Sequence, residues 1–126
     1  MSDEKRRRVV KTVGQLHERG LIDGGELLAI ERVVARFAAT ITDDMVELID
    51  VADPADPIAA QFVPRPAELE LAAEELADPI GDRRHTPVPG ITHRYPDRAL
   101  LKPLHACPIY CRFCFRREFV GPGSER

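Results

Sequence analysis

Cys107-Pro-Ile-Tyr-Cys111-Arg-Phe-Cys114 contains every cysteine of the chain. The count is odd, and no cysteine precedes the cluster. A secreted disulfide framework scatters an even number of cysteines along the chain. Thiols gathered in one short stretch point instead to metal or redox chemistry in a reducing compartment, which predicts a cytoplasmic protein. The C-x3-C-x2-C spacing, on a loop leaving a strand, can wrap three corners of a cubane 4Fe-4S cluster. The fourth iron is then left without a protein ligand, an arrangement that suits a catalytic cluster better than an electron carrier. Two other readings stay open. A structural zinc site needs four ligands and usually pairs of C-x2-C, with His105 or His93 as the fourth donor here. A redox pair made of Cys111 and Cys114 leaves Cys107 unexplained and lacks a preceding βαβ pattern.

Working upstream, Ala99-Leu100-Leu101-Lys102-Pro103-Leu104 reads as a short, mostly buried strand that delivers the chain into the cysteines. Before it, Ile80 to Arg98 holds Pro87, Pro89, Pro96, Gly81 and Gly90 among His85, Thr92, His93, Arg94, Tyr95 and Arg98. Such a stretch predicts a long ordered loop or a short hairpin, and loops of that length in compact domains are usually functional or disordered.

The first half predicts helices. Ser2 or Asp3 can cap a segment reaching about Glu18, with Val9, Val13 and Leu16 on one face, and Gly20 ends it. Arg6, Arg7 and Arg8 then fall on its solvated side. Asp23 is a good cap for a second helix with a Leu27, Ile30, Val34 and Phe37 stripe. Thr42 starts a third, with Asp43 and Asp44 in its first turn, where the helix dipole favours carboxylates; Met45, Leu48 and Ile49 are its expected buried side. Asp53-Pro-Ala-Asp-Pro57 is a turn, followed by a short helix to about Phe62. An amphipathic helix is expected from Glu68 to Ala77, ended by Asp78-Pro79. These stripes read as packing and nothing more.

The chain of 126 residues is 44% hydrophobic and 31% charged, with a net charge of -3. That is enough for one modest domain, and the balance gives no reason to expect nucleic-acid binding. The apolar runs are too short for a membrane span, and the start lacks a signal-peptide core.

Asp78-Pro-Ile-Gly-Asp82, Thr86-Pro-Val-Pro-Gly-Ile-Thr-His-Arg-Tyr-Pro-Asp-Arg98, the cysteines and Phe115-Arg116-Arg117 together resemble the lysine 2,3-aminomutase family of the radical S-adenosylmethionine (SAM) superfamily. Ile41-Thr42 to Asp50 and Asp53 to Pro57 resemble that family's helical N-terminal region. The resemblance implies an isomerase that shifts an amino group between neighbouring carbons through a 5'-deoxyadenosyl radical. Its cofactors would be a 4Fe-4S cluster, SAM and pyridoxal 5'-phosphate (PLP). By the same resemblance Cys107, Cys111 and Cys114 are the metal ligands and Phe113 lies on the SAM side. Arg94, Tyr95 and Arg98 lie on the PLP side, and Arg116 takes the substrate carboxylate. Paired guanidiniums can fork onto a phosphate dianion; the plainer reading of Arg94 and Arg98 is a surface ion pair with Asp97 or Asp82. Lys102 and Arg117 read as solvated or structural, and His85 and His93 as ordinary loop residues. The substrate implied is free lysine, or a lysine side chain of elongation factor P in related proteins.

The implied fold is α/β: a helical N-terminal region over residues 1–79, a loop or hairpin over 80–98, and the start of a partial (β/α) barrel over 99–126. Only the first barrel strand and its cluster loop are expected here, without the glycine-rich SAM strand or the PLP lysine. Lys5 and Lys11 on the first helix and Lys102 in the strand are no substitutes, and no catalytic residue is assigned. The chain is therefore expected to be inactive by itself, with SAM and PLP binding only if a complementing polypeptide supplies the barrel. The alternatives are a non-catalytic zinc-binding or interaction module, or an inert remnant.

Overall fold

The computed structural model describes residues 9–121. Their contacts form two compact units. One runs up to Glu70 and takes back Pro108–Arg112; the other holds Leu71–Cys107 and the residues from Phe113 onward. Among the described residues there are short helices and two small antiparallel sheets, and no closed barrel.

The first unit opens on a strand. β1 (Val9–Val10) pairs antiparallel with β2 (Ile41–Thr42), Val9 opposite Thr42 and Val10 opposite Ile41. The expected caps Ser2 and Asp3, with Lys5 and Arg6 to Arg8, lie outside the described residues. Val9 and Val10 are β-branched and favour a strand when one face can be buried, so α1 is only Val13–Glu18. Thr12 is its cap. The Thr12 hydroxyl accepts from the Gln15 N–H at 3.2 Å, and Gln15 Oε1 accepts from the Thr12 N–H at 3.1 Å. This reciprocal capping box satisfies two donors that the helix start leaves unpaired. Thr12→Ala is expected to cost about 1 kcal/mol, read from the urea midpoint. Gly20 closes the helix at φ +69°, a conformation that costs glycine little.

Asp23 performs the expected capping on a short 3-10 turn, Gly24–Glu26, with its Oδ1 accepting from the Gly25 N–H at 2.7 Å. The turn leads into α2 (Leu27–Arg36). Of the expected stripe, Ile30 and Phe37 are buried, and Leu27 and Val34 sit at the core margin; Val33 is buried as well. Ile30 shares the core with Val10, Leu16, Ile41, Phe62 and Val63.

α3 (Asp43–Val46) is a single turn. Of the expected buried face, Met45 and Ile49 pack half-buried against the core, but Leu48 is 60% exposed, and Val46 is the residue that is buried. Leu48→Ala should therefore move stability by no more than about 0.5 kcal/mol. α4 (Pro57–Phe62) follows the predicted turn, with Pro at its first position. Asp56 is buried at its start, accepting from the Ile58 and Ala59 N–H groups at 2.9 and 2.7 Å and from the Asp50 N–H at 3.1 Å. The bond from Ala59 is the main reason its pKa falls below the ordinary carboxylate value; burial opposes this, and the bonds from Asp50 and Ile58 add to the fall.

The helix expected from Glu68 to Ala77 is absent. A 3-10 turn covers Pro66–Leu69, and no helix follows it as far as Ala77. Short helices gain most of their stability from packing an apolar face, and here Leu71 and Leu76 are exposed.

The second unit is built on a hairpin. β3 (Ile91–Tyr95) and β4 (Arg98–Leu101) pair antiparallel, with Ile91 opposite Leu101, Thr92 opposite Leu100 and Tyr95 opposite Arg98. The expected buried strand at Ala99 to Leu104 is thus shifted and exposed: Leu101 is 68% and Leu104 75% accessible. Among the described residues β4 has one strand neighbour, β3, and its leucines stay exposed, so an apolar run alone did not bury it. Lys102 lies just beyond β4, and its N–H donates to the Gly90 carbonyl at 2.7 Å. Gly90 has φ +86°, and a Cβ there would lie 3.3 Å from the Lys102 carbonyl.

Candidate functional site

The segment after β4 carries the three cysteines through turns and bends, with no helix or strand from Lys102 to Gly121. All three are reduced thiols; Cys107 is exposed, and Cys111 and Cys114 are half-buried. As a donor set they fit an iron–sulfur cluster, since thiolates are its ordinary ligands and no backbone ladder must break to move them. Among the described residues, however, no three His, Cys, Asp or Glu side chains are gathered as a metal-holding group.

Within the first unit, the middle of the motif is tied down on both sides of Cys111. The Tyr110 N–H donates to the Thr40 carbonyl at 3.1 Å, and the Arg112 N–H to the Gln61 carbonyl at 2.7 Å. Ile109 and Cys111 pack against the hydrophobic core. The Arg112 side chain then closes the anchor. Its Nε and Nη2 donate to the two carboxylate oxygens of Glu68 at 2.9 and 2.6 Å, and Nη1 donates to the Ala38 carbonyl at 2.9 Å. The Arg112 side chain is 8% exposed and that of Glu68 13%. A two-pronged guanidinium–carboxylate pair fixes both distance and plane. Sequence reasoning assigned Arg112 nothing, because a residue between two ligands carries no periodic or spacing signal.

In the second unit, Asp82 is the centre. It is buried, and its carboxylate accepts from Arg94 Nη2 at 3.1 Å and from Arg116 Nε at 2.9 Å. Arg94 Nη2 also donates to the Ile80 carbonyl at 2.5 Å. Asp78 orients the turn beneath by accepting from the Asp82 and Arg83 N–H groups, both at 2.9 Å. Burial raises the pKa of Asp82, but the hydrogen bonds from Arg116 and Arg94 and the charges of Arg116 and Lys102 outweigh it, and the net shift is downward. The ion-pair reading of Arg94 is therefore what the geometry contains. Two expected site arginines, 22 positions apart, are brought to one carboxylate.

Arg98 lies 3.7 Å from Asp97 on the surface, and its guanidinium sits 4.5 Å from the centroid of the Tyr95 ring. Tyr95 and Phe113 are exposed. Arg117 approaches Glu75 at 3.8 Å. The His105 ring (Nδ1) is 2.9 Å from the Phe119 carbonyl, and the Gly121 N–H donates to the His105 carbonyl at 2.8 Å, so the ends of the thiol segment are drawn together within this unit.

No protein-family model matches the chain. Among curated proteins it is 39% identical over 116 residues to an L-lysine 2,3-aminomutase of Clostridium subterminale, a match covering 92% of this chain and 28% of that protein. It is 42% identical over 81 residues to an L-lysine 2,3-aminomutase of Bacillus subtilis, covering 64% of this chain and 17% of the relative. A glutamate 2,3-aminomutase of Clostridioides difficile is 39% identical over 92 residues, covering 73% and 22%. The chain thus spans about a quarter of the length of the curated relatives it matches. No helix among the described residues is long and apolar enough to cross a membrane.

Proposed function

Given that this chain belongs to the lysine 2,3-aminomutase family over the segment the two share, we propose that it is the cluster-bearing part of a radical SAM aminomutase. Cys107, Cys111 and Cys114 would hold the cluster, which when bound supplies one electron at an iron with an open position. The observation that carries this reading is the 39% identity over 92% of this chain, taken together with the C-x3-C-x2-C spacing of its only cysteines.

The chain's own residues bind and orient. Arg94, Tyr95 and Arg98 would hold the phosphate end of PLP, Phe113 would line the SAM side, and Arg116 would take the substrate carboxylate. The bonds to Asp82 engage one nitrogen each of Arg94 and Arg116, and a guanidinium has five N–H donors, so another edge of each can face a second anion. The substrate class is an α-amino acid; relatives named for lysine and for glutamate leave the side chain open. A lysine side chain of elongation factor P is the other reading; within a polypeptide it offers Arg116 no free carboxylate, which favours the free amino acid. Residues supplied outside this segment would complete the enzyme, and its place would be the cytoplasm.

Anaerobic purification with iron and sulfide tests the reading. A brown protein with both elements bound is expected. Colourless protein with one stoichiometric zinc would overturn it.

A further inference from the structure

We infer that Arg112 and Glu68 are a positioning pair that presets Cys111, the middle thiol, before any cluster is present; this rests on the cluster reading above. Three observations in the first unit carry it. Cys111 is flanked on both sides by backbone hydrogen bonds to the helical unit, through Tyr110 to Thr40 and through Arg112 to Gln61. Its side chain packs against the core. The Arg112 guanidinium, nearly buried, bridges Glu68 and the Ala38 carbonyl.

A surface arginine would not need this arrangement. Burying a guanidinium is costly unless a carboxylate pairs with it and its remaining donors are satisfied, and here one side chain joins the thiol segment, the 3-10 turn at Pro66–Leu69 and the end of α2. The geometry fixes the backbone on which Cys111 is carried. Cys111 is thus the thiol whose backbone the pair holds. Arg112 touches no reacting atom in this account; it acts through Cys111.

Residues that hold metal ligands in place typically change metal affinity by about 10–100-fold when altered. The test uses the full chain, loaded anaerobically with ferrous iron and sulfide, and follows iron loss to a chelator. Arg112→Lys keeps the charge but cannot fork onto Glu68, and Glu68→Gln keeps one acceptor without the charge. Both should weaken iron retention about tenfold or more, while far-UV circular dichroism stays native. In the metal-free chain, alkylation of Cys111 should speed up relative to Cys107 in both variants. Thr12→Ala, which weakens α1 away from the thiol segment, should change neither readout. A wild-type chain that holds no iron and sulfide removes the cluster reading and this inference together. A wild type that holds them, with folded Arg112→Lys and Glu68→Gln variants retaining iron equally and an unchanged Cys111 alkylation rate, overturns the inference alone. So does Thr12→Ala if it loosens iron as much as they do.

Discussion

Glu68→Ala is expected to destabilise the helical unit by about 3–5 kcal/mol, because it leaves the nearly buried Arg112 guanidinium without its counter-charge. Two charge-assisted bonds at 2.9 and 2.6 Å are lost, and the bond to the Ala38 carbonyl cannot neutralise the charge that remains. The whole stability of a domain this size is only about 5–15 kcal/mol, so the change should be visible as a large drop in urea midpoint. The double variant Glu68→Ala with Arg112→Met should recover much of the loss, since an apolar side chain of similar length has no charge to leave stranded. If Glu68→Ala unfolds at the wild-type midpoint, the pair is not what ties residues 108–112 to the helices.

The second large effect lies in the hairpin unit. Asp82→Ala removes the carboxylate shared by Arg94 and Arg116 and leaves two half-buried guanidiniums facing the same space. A hydrogen bond to a charged group contributes about 1.5–3 kcal/mol; with both arginines partly solvated, a loss of about 2 kcal/mol is expected. The same carboxylate predicts a pH dependence. Its pKa in the folded protein is lowered, so its contribution is fully present above the unfolded value of about 3.9 and is lost as pH falls through the folded value. Hydrogen exchange of the hairpin amides between pH 5 and pH 2 should show protection, corrected for intrinsic rate, falling in that window. Asp82→Asn should flatten the fall. Asp56 at the start of α4 has a pKa lowered in the same direction, so the helical unit should weaken in acid as well.

The parts legible in the sequence are those in which a local rule acts alone. Asp23 caps the 3-10 turn that leads into α2 because a side-chain oxygen two residues from an unpaired N–H needs no help from the rest of the chain. Gly20 stops α1 for an equally local reason. The failures are cases where neighbours decide. Leu71 and Leu76 carry a helical pattern, yet nothing covers them in the unit they belong to, and the helix does not form. Leu100, Leu101 and Leu104 promise a buried strand, yet β4 pairs with β3 alone and exposes them. Val9 fits a helical face with Val13 and Leu16 until β2 offers a strand partner, Thr42 opposite Val9 and Ile41 opposite Val10.

The same division runs through the candidate site. Three cysteines at fixed spacing announce metal chemistry by themselves, and the surrounding motif announces the family. Beyond its place in the family motif, Asp82 was legible only as a possible surface partner of Arg94 or Arg98, because pairing across 34 positions with Arg116 has no linear signature. Arg112 and Glu68, 44 positions apart, left none at all. What the fold adds to the motif is support: a carboxylate that gathers two arginines in one unit, and an arginine that steadies the middle thiol in the other.

Native mass spectrometry of the anaerobically reconstituted chain tests the central claim most directly. One added mass of about four irons and four sulfides per chain is expected, lost when any one of Cys107, Cys111 or Cys114 is changed to serine. A chain that gains no iron–sulfide mass, or that keeps it unchanged after Cys111→Ser, would contradict it.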